Sequence, residues 1–356
     1  MTTASVTQNF QGSRSLPKWL APTLIAVSIL ASFSINSALA SSNPEATQLN
    51  LLSVALVAVI SYSIGFYLAS RIIEGQRKSA DRLVTILVTG AFALAVVPLI
   101  SLAWTVVERG AARFDMEFFT FSMRNVVGAG GGAYHAIIGT LQITGLATLI
   151  SVPIGIMTAI YLVEYGRGAL ARAVTFFVDV MTGIPSIVAG LFAYAAFVVI
   201  FGPGVRMGVG GAIALSVLMI PVVIRATEEM LKIVPNELRE ASYALGVPKW
   251  LTVTKVVLPT ALAGIATGVM IAIARIIGET APLLIIAGFT ASTNFNPFDE
   301  RMMTLPVFVY TSYANQGADA QTYIDRAWTG ALVLMLIVMI LNIIARLVSK
   351  YFSPKG

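Results

Sequence analysis

Long apolar runs alternate with short polar segments along this chain, and the pattern predicts membrane-spanning helices. A helix needs about 20 mainly apolar residues to cross the hydrocarbon core, because every backbone N–H and C=O must be paired within the segment where water is absent. Eight stretches are candidate spans: residues 20–40, 49–69, 83–106, 136–162, 181–201, 212–226, 259–289 and 327–347. We therefore predict an all-α integral membrane protein.

Composition supports the same class. The 356 residues are 57% apolar and only 11% charged, with a mean hydropathy of +0.85, whereas soluble domains carry about 25% charged residues. The chain has no cysteine, which excludes disulfides, thiol nucleophiles and thiolate metal sites.

The distribution of basic residues predicts the orientation. Most of the 23 lysines and arginines fall on the face that holds both termini, and the positive-inside rule makes that face cytoplasmic. The net charge of +6 then reflects membrane topology beside anionic lipid rather than nucleic-acid binding.

The first predicted span has two interpretations. Lys18, an apolar run and the small residues at 38–41 are also typical of a signal peptide with its cleavage site. The apolar run is longer than the usual 7 to 15 residues of such a peptide. We expect an uncleaved first helix.

The segment between the sixth and seventh spans is polar yet has a helical pattern. Residues 226–258 carry several charges, which excludes lipid as their surroundings. Pro235 is typical of a helix start, and Gly246 of a helix end. Three positions between them recur at helical spacing: Leu238, Ala241 and Leu245. From the pattern alone, this cytoplasmic helix either rests on headgroups or on its own bundle, or docks into a soluble partner.

The same segment resembles a signature of permease subunits in ABC importers, E-A-A-x3-G-x9-I-x-L-P. Five residues match it: Glu240, Ala241, Gly246, Leu258 and Pro259. Ser242 stands in place of the second alanine, and Val256 in place of isoleucine. In that family the segment is a coupling helix seated in a cleft of a separate nucleotide-binding subunit. The resemblance favours docking, and residues 226–258 are called the coupling loop below.

Further stretches narrow the resemblance to PstA-type permeases of bacterial phosphate importers. These are residues 236–241, 274–283, 183–187 and Gly131-Gly132 with His135. The resemblance implies a six-helix ABC importer permease core within residues 81–356. Residues 1–80, with two extra transmembrane helices, form an N-terminal extension to which it assigns no role.

The resemblance also implies function and partners. The chain would be a non-enzymatic transport subunit of the bacterial inner membrane, forming half of a phosphate pathway. Its partners would be an ATP-binding subunit dimer, a homologous second permease, an extracytoplasmic phosphate-binding protein and membrane lipid. It would bind no cofactor itself, since ATP is used by the partner; no G-x-x-x-x-G-K-[ST] motif occurs. The alternatives are a permease for molybdate, sulfate or phosphonate, a secondary transporter, and a phosphate-sensing scaffold.

Two charges lie within the seventh predicted span. Arg275 and Glu279 are four residues apart, about 6 Å of helical rise, so a continuous helix places them on one side. One interpretation is an intrahelical ion pair that only neutralises both charges. The other is a phosphate pathway in which Arg275 binds the anion, Glu279 limits the positive field and Thr280 donates a hydrogen bond. Gly278 and Pro282 predict a local break beside them.

Two further positions are candidate pathway residues. Ser186 follows a Gly-Ile-Pro interruption, which is either a packing kink or a gate hinge whose hydroxyl lines the path. Arg225 ends the sixth span as a cytoplasmic anchor or as part of the anion exit. His135, the one histidine, is expected to pack at the outer interface rather than transfer protons.

Overall fold

The computed structural model describes residues 16–17, 19–42, 51–317 and 319–352. Fourteen α-helices and no strands occur over these residues: α1 (Leu20–Ser42), α2 (Leu51–Ile73), α3 (Gln76–Gly110), α4 (Met116–Thr120), α5 (Tyr134–Ile160), α6 (Gly168–Thr182), α7 (Ser186–Phe201), α8 (Gly208–Ile233), α9 (Asn236–Ala244), α10 (Lys249–Thr252), α11 (Leu258–Ile276), α12 (Ala281–Ile286), α13 (Leu305–Ala314) and α14 (Ala320–Phe352). The predicted all-α membrane class is confirmed.

Seven helices in the described part of the chain are long and apolar enough to cross a membrane, or eight if one bent pair counts as a span. The start of the second predicted span, residues 49–50, lies outside the described residues. Helix α1 continues through the small residues at 38–41. That this helix is not cleaved stays a prediction.

The Gly-Ile-Pro interruption predicted in the fifth span is present as a break between two helices. Helices α6 and α7 meet at a break with a bend of 110°. Pro185 lacks an amide hydrogen, and Gly183 ends α6 with its amide bonded back to Val180 O at 3.1 Å. Helix α7 has 16 residues and is about 24 Å long, short for a bilayer crossing.

The seventh predicted span, residues 259–289, is also interrupted. Helix α11 ends at Ile276, and only the short α12 follows. The expected break beside Gly278 and Pro282 is confirmed. The long helix α11 ends there and does not continue as a bent helix. Helices α6, α12 and α13 were not predicted as separate elements.

Two compact units make up the chain, Met1–Ala103 and Trp104–Gly356. In the first unit, α1 packs on α2 and Glu74 lies at the turn into α3. Arg82 donates two hydrogen bonds to the Glu74 carboxylate, at 2.6 and 2.8 Å. These bonds hold the pKa of Glu74 at about 2, against an ordinary value of 4.5. The predicted boundary between residues 1–80 and 81–356 stays a prediction.

The second unit is organised around α8. Gly155 of α5 lies against Val223 of α8, where a Cβ on the glycine would be 2.6 Å from a Val223 methyl. Gly268 of α11 meets Ala226 in the same way, with 2.6 Å between the two Cβ positions. Helix α8 therefore packs closely on both neighbours and links the coupling loop to the core.

Candidate functional site

The coupling loop is helical on both sides of one tight turn. The sixth predicted span ends at residue 226, but α8 runs on to Ile233, so the first part of the loop extends that helix. Helix α9 begins after Pro235, as predicted. Gly246 has φ +75°, in the left-handed region, and its amide donates to Tyr243 O at 2.9 Å. The predicted helix end at Gly246 is confirmed.

Large apolar side chains of this helix-turn-helix are exposed. Leu245 is 84% exposed and Trp250 is 62% exposed, and Leu238 is also exposed. Glu240, Ala241, Gly246 and Pro259 are exposed as well, and Leu258 is half-buried. Apart from Gly246 and its two chain neighbours, no atom of the described residues lies within 4 Å of the Cβ position at Gly246. The described fold does not cover this surface.

The opposite side of the coupling loop is fixed by polar contacts. Arg239 donates to Glu164 Oε1 from Nη2 at 2.9 Å and from Nε at 3.0 Å, and both side chains are largely buried. Arg239 also donates to Leu231 O and Val234 O at 2.9 and 2.6 Å, which satisfies carbonyls at the end of α8. Lys249 Nζ donates to the backbone carbonyl of Glu164. We call Glu164, Arg239 and Lys249 the Glu164 clamp.

The Glu164 clamp depends on a wide helical turn. Residues Tyr161–Tyr165 form a π-helical segment at the end of α5. Such turns are uncommon and occur often at functional sites. Lys249 also places its ammonium 5.0 Å from the centre of the Tyr165 ring. The end of α5, α9 and α10 are thereby held together.

A buried pair of hydroxyls joins the two arms of the turn. Ser242 of α9 and Thr252 of α10 lie 2.8 Å apart, with both side chains buried. Ser242 is one of the two departures from the signature. Its hydroxyl gives the substitution a structural role that alanine lacks.

Arg275 and Glu279 do not share a helical face. Helix α11 ends at Ile276, and the amide of Glu279 donates to Ile276 O at 3.1 Å in a turn. No carboxylate lies within 4.0 Å of Arg275 among the described residues, and its side chain is exposed. The intrahelical ion pair is therefore not formed. Glu279 and Thr280 are half-buried in the break.

The two interrupted helices pack on each other. Gly190 of α7 approaches Pro282 of α12 so closely that a Cβ would lie 2.5 Å from Pro282 Cα. Ser186 is the first residue of α7, one turn before Gly190, and is half-buried. The fold thus brings the helix that carries Ser186 beside the break that carries Glu279 and Thr280.

Arg225 is an ion-paired residue. Its Nη1 donates to Glu228 Oε2 at 2.7 Å, and its Nη2 pairs with Asp179 on α6. Asp179 therefore pairs with Arg225. Ala226 contacts Gly268, and Arg275 lies seven residues further along α11, about 10 Å. Arg225 and Arg275 thus occupy different depths.

Two more buried polar residues, His135 and Arg326, lie at the end of the second unit away from the coupling loop. His135 packs edge to face on Phe308, with 5.7 Å between ring centres, and neither ring nitrogen has a hydrogen-bond partner in the part of the chain that the structure describes. Arg326 is 1% exposed and donates to Gly128 O and to Thr322 O without a carboxylate partner in the described part. No group of three or more His, Asp or Glu arranged for a metal occurs over the same residues.

Sequence reasoning missed the Glu164 clamp and Arg326. Glu164 and Lys249 carried a weak signal, since each is a charge at the edge of an apolar run. Glu164 is 75 positions from Arg239 and 85 positions from Lys249 in the chain. No local pattern reveals such pairs.

Comparisons with known proteins agree on one family. The family described as "Binding-protein-dependent transport system inner membrane component" matches residues 151–355. Phosphate transport system permease protein PstA 1 of Mycobacterium tuberculosis (strain CDC 1551 / Oshkosh) is 43% identical over 77% of this chain and 90% of its own. The PstA protein of Yersinia pestis is 39% identical over 77% of this chain and 92% of its own.

A solved structure shows the same fold at lower identity. A crystal structure of a bacterial alginate ABC transporter with its pentasaccharide-bound periplasmic protein contains a chain that is 14% identical. The match has a TM-score of 0.54 and covers 78% of this chain and 97% of that one. Family, identity and fold agree with the multi-pass helical architecture and the coupling loop: this chain belongs to the binding-protein-dependent transport system inner membrane components and, within them, to the PstA-type permeases.

Proposed function

We propose that this chain is the transmembrane permease subunit of an ATP-driven phosphate importer and forms half of its pathway. Its relatives in two bacteria are named phosphate transport system permease proteins, and the chain covers 90% and 92% of their lengths. The substrate assignment rests on these relatives. Molybdate, sulfate and phosphonate are the competing oxyanions.

The observation that carries the proposal is the two-sided construction of the coupling loop. Leu245 and Trp250 present an apolar surface that nothing in the described fold covers. Arg239 and Lys249 tie the other side to the end of α5 through Glu164. A helix resting on its own bundle would bury the apolar face. This arrangement suits a partner that binds the exposed apolar surface, while the other side of the loop moves together with the helix bundle.

The phosphate pathway is proposed to pass the break between α11 and α12. Arg275 is exposed and lacks a carboxylate in the described part, and an unpaired charge facing lipid is costly. A wet cavity shared with a second permease removes that cost. Arg275 then offers two parallel donors to phosphate, and Thr280 and Ser186 offer hydroxyls.

Two carboxylate sites limit the positive field along this route. Glu279 lies in the break, four residues after Arg275. Arg225, at the cytoplasmic end in the predicted topology, is already neutralised by Asp179 and Glu228. An exit residue of reduced charge lets an anion leave, since strong attraction would trap it.

The remaining partners follow from the same proposal. An ATPase subunit dimer binds the coupling loops of this chain and of a homologous second permease, and an extracytoplasmic phosphate-binding protein delivers the ion. Both termini lie in the cytoplasm, and ATP binds to the partner alone. Closure of the ATPase dimer pulls on α9, and the Glu164 clamp transmits that movement to α5 and α8.

The docking surface can be tested by charge insertion. We expect Leu245→Glu to reduce co-purification of the ATPase subunit and ATP-driven phosphate uptake by at least about tenfold, because a carboxylate buried in an apolar cleft costs several kcal/mol. Val127→Glu is the matched control, since Val127 is 94% exposed on the loop before α5. Normal ATPase binding and normal phosphate uptake by Leu245→Glu would contradict the proposed docking surface. Uptake of labelled sulfate in place of phosphate would contradict the substrate assignment.

A further inference from the structure

Two arginines from separate loops meet at the end of the second unit opposite the coupling loop. Arg206 lies between α7 and α8, and Arg301 lies between α12 and α13. This end is extracytoplasmic in the predicted topology. Both arginines border a cavity of about 400 Å³ whose lining residues are Gly204, Arg206, Phe289, Thr290, Glu300 and Arg301.

The two arginine side chains are brought together over one glycine. Gly288 has φ +75°, and a Cβ placed on it would lie 3.0 Å from Arg206 Cδ and 3.4 Å from Arg301 Cδ. Any side chain at this position would strain the backbone and push against both stems. Glycine therefore permits the close approach.

Backbone hydrogen bonds hold both loops to the end of α12. The amide of Met207, next to Arg206, donates to Ile286 O at 3.1 Å. The amide of Met302, next to Arg301, donates to Ala287 O at 3.1 Å. The arginines are thus placed by a fixed backbone on each side of one short helix, and the site is preorganised.

Neither guanidinium is neutralised within the described residues. No carboxylate lies within 4.0 Å of Arg206 or Arg301 there, although Glu300 borders the same cavity. Arg206 Nε is buried and has no hydrogen-bond partner among the described residues. Two neighbouring positive charges repel each other, and a buried unpaired donor is unfavourable. A bound anion relieves both conditions.

We propose that this cavity is an oxyanion-binding site where phosphate is held before it enters the membrane pathway. The identity of the ion rests on the proposed function. Two guanidinium forks match the oxygens of a tetrahedral oxyanion, and Thr290 adds a hydroxyl at the same cavity. Glu300 lowers the positive field at the rim, so the ion is released to the pathway.

Equilibrium binding of radiolabelled phosphate to the purified complete transporter, without binding protein or nucleotide, tests the site. We expect Arg206→Gln and Arg301→Gln each to weaken binding by at least about tenfold, because each removes charge-assisted hydrogen bonds. Arg206→Lys keeps the charge without the fork and is expected to lie between wild type and Arg206→Gln. Arg124→Gln is the matched control, since Arg124 is exposed on the same end without a side-chain partner in the described part, and its phosphate affinity is expected to be unchanged.

Each contrary result has a distinct meaning. Unchanged phosphate affinity in Arg206→Gln and Arg301→Gln overturns the site while leaving phosphate import intact. If those variants bind phosphate normally but lose affinity for the binding protein, the arginines serve an acidic protein surface and the proposal is overturned. If sulfate binds in a manner that depends on Arg206 while phosphate does not bind, the oxyanion site stands and the phosphate assignment of the transporter fails.

Discussion

Arg275 and Arg225 are both arginines in apolar helices, yet their surroundings differ. Arg225 pairs with Asp179 and Glu228, whereas Arg275 has no carboxylate within 4.0 Å among the described residues. An ion-paired arginine stabilises the packing of α6 on α8. An unpaired arginine on an exposed helix face keeps its donors for a ligand. The pathway roles of both residues stay predictions, and Arg275 is the one of the two without a carboxylate partner in the described part of the chain.

Replacing Arg275 by glutamine is expected to abolish phosphate uptake without disturbing assembly. The change removes the charge and the fork, and charge-assisted hydrogen bonds contribute about 1.5–3 kcal/mol, equivalent to a loss of about 10- to 150-fold. ATP-driven uptake of labelled phosphate into proteoliposomes measures this. Co-purification of the ATPase subunit reports assembly.

Two variants sharpen the Arg275 experiment. Arg275→Lys keeps a charge and is expected to retain part of the uptake. Arg346→Gln removes a charge from an exposed position on α14 and is expected to transport normally. Uptake by Arg275→Gln at the wild-type rate would remove Arg275 from the pathway.

At the scale of elements, the proposed function assigns docking to one side of the coupling loop and transmission of movement to the other. The exposed face of α9 and α10 offers contact area, and the Glu164 clamp fixes the same helices to α5. The sequence predicted the helix, its start at Pro235 and its end at Gly246, because these depend on local backbone chemistry. It did not predict the clamp, because Glu164 and Arg239 meet only in the folded chain.

Breaking the Glu164 clamp is expected to uncouple ATP hydrolysis from transport. Removing one partner of a buried ion pair costs about 3–5 kcal/mol, because the other charge is left unpaired. We expect Arg239→Gln to retain ATPase binding, since Leu245 and Trp250 are unchanged, but to transport several-fold less phosphate per ATP hydrolysed. The ratio is obtained by measuring, in the same sample, the phosphate released by ATP hydrolysis and the uptake of labelled phosphate.

A double-mutant cycle separates the pair from general damage. Glu164→Gln with Arg239→Gln removes both charges, so the double variant is expected to be less impaired than the sum of the singles. Arg172→Gln, on α6 and exposed, is the matched control. A wild-type coupling ratio in Arg239→Gln would show that movement reaches the bundle by another route.

At the scale of the whole molecule, apolar runs predicted the long helices, and glycine and proline marked the two interruptions without showing how far the chain bends there. Residues 136–162 and 327–347 read as spans and lie within long helices, α5 with its π-helical end and α14. Residues 181–201 and 259–289 have the same apolar pattern as those two stretches, but they contain the breaks at Gly183–Pro185 and after Ile276. Proline and glycine within an apolar run are compatible with a bent helix or an ended one, and the packing of Gly190 on Pro282 selects between them. Arg206 and Arg301 illustrate the same limit, since only the fold joins their loops.

The assembled transporter is expected to move phosphate only while its ATPase subunits hydrolyse ATP. Moving one elementary charge across a membrane potential of 100 mV involves about 2.3 kcal/mol, so a dianion entering a negative interior needs about twice that per 100 mV. Proteoliposomes with ATP on the ATPase side are expected to accumulate labelled phosphate. Those with a non-hydrolysable analogue are expected to show only leak. The Leu245→Glu transporter with ATP is the matched control, because its pathway residues are intact while its motor contact is lost. Accumulation driven by an ion gradient without nucleotide would identify a secondary transporter and would leave the exposed face of α9 without the partner inferred for it.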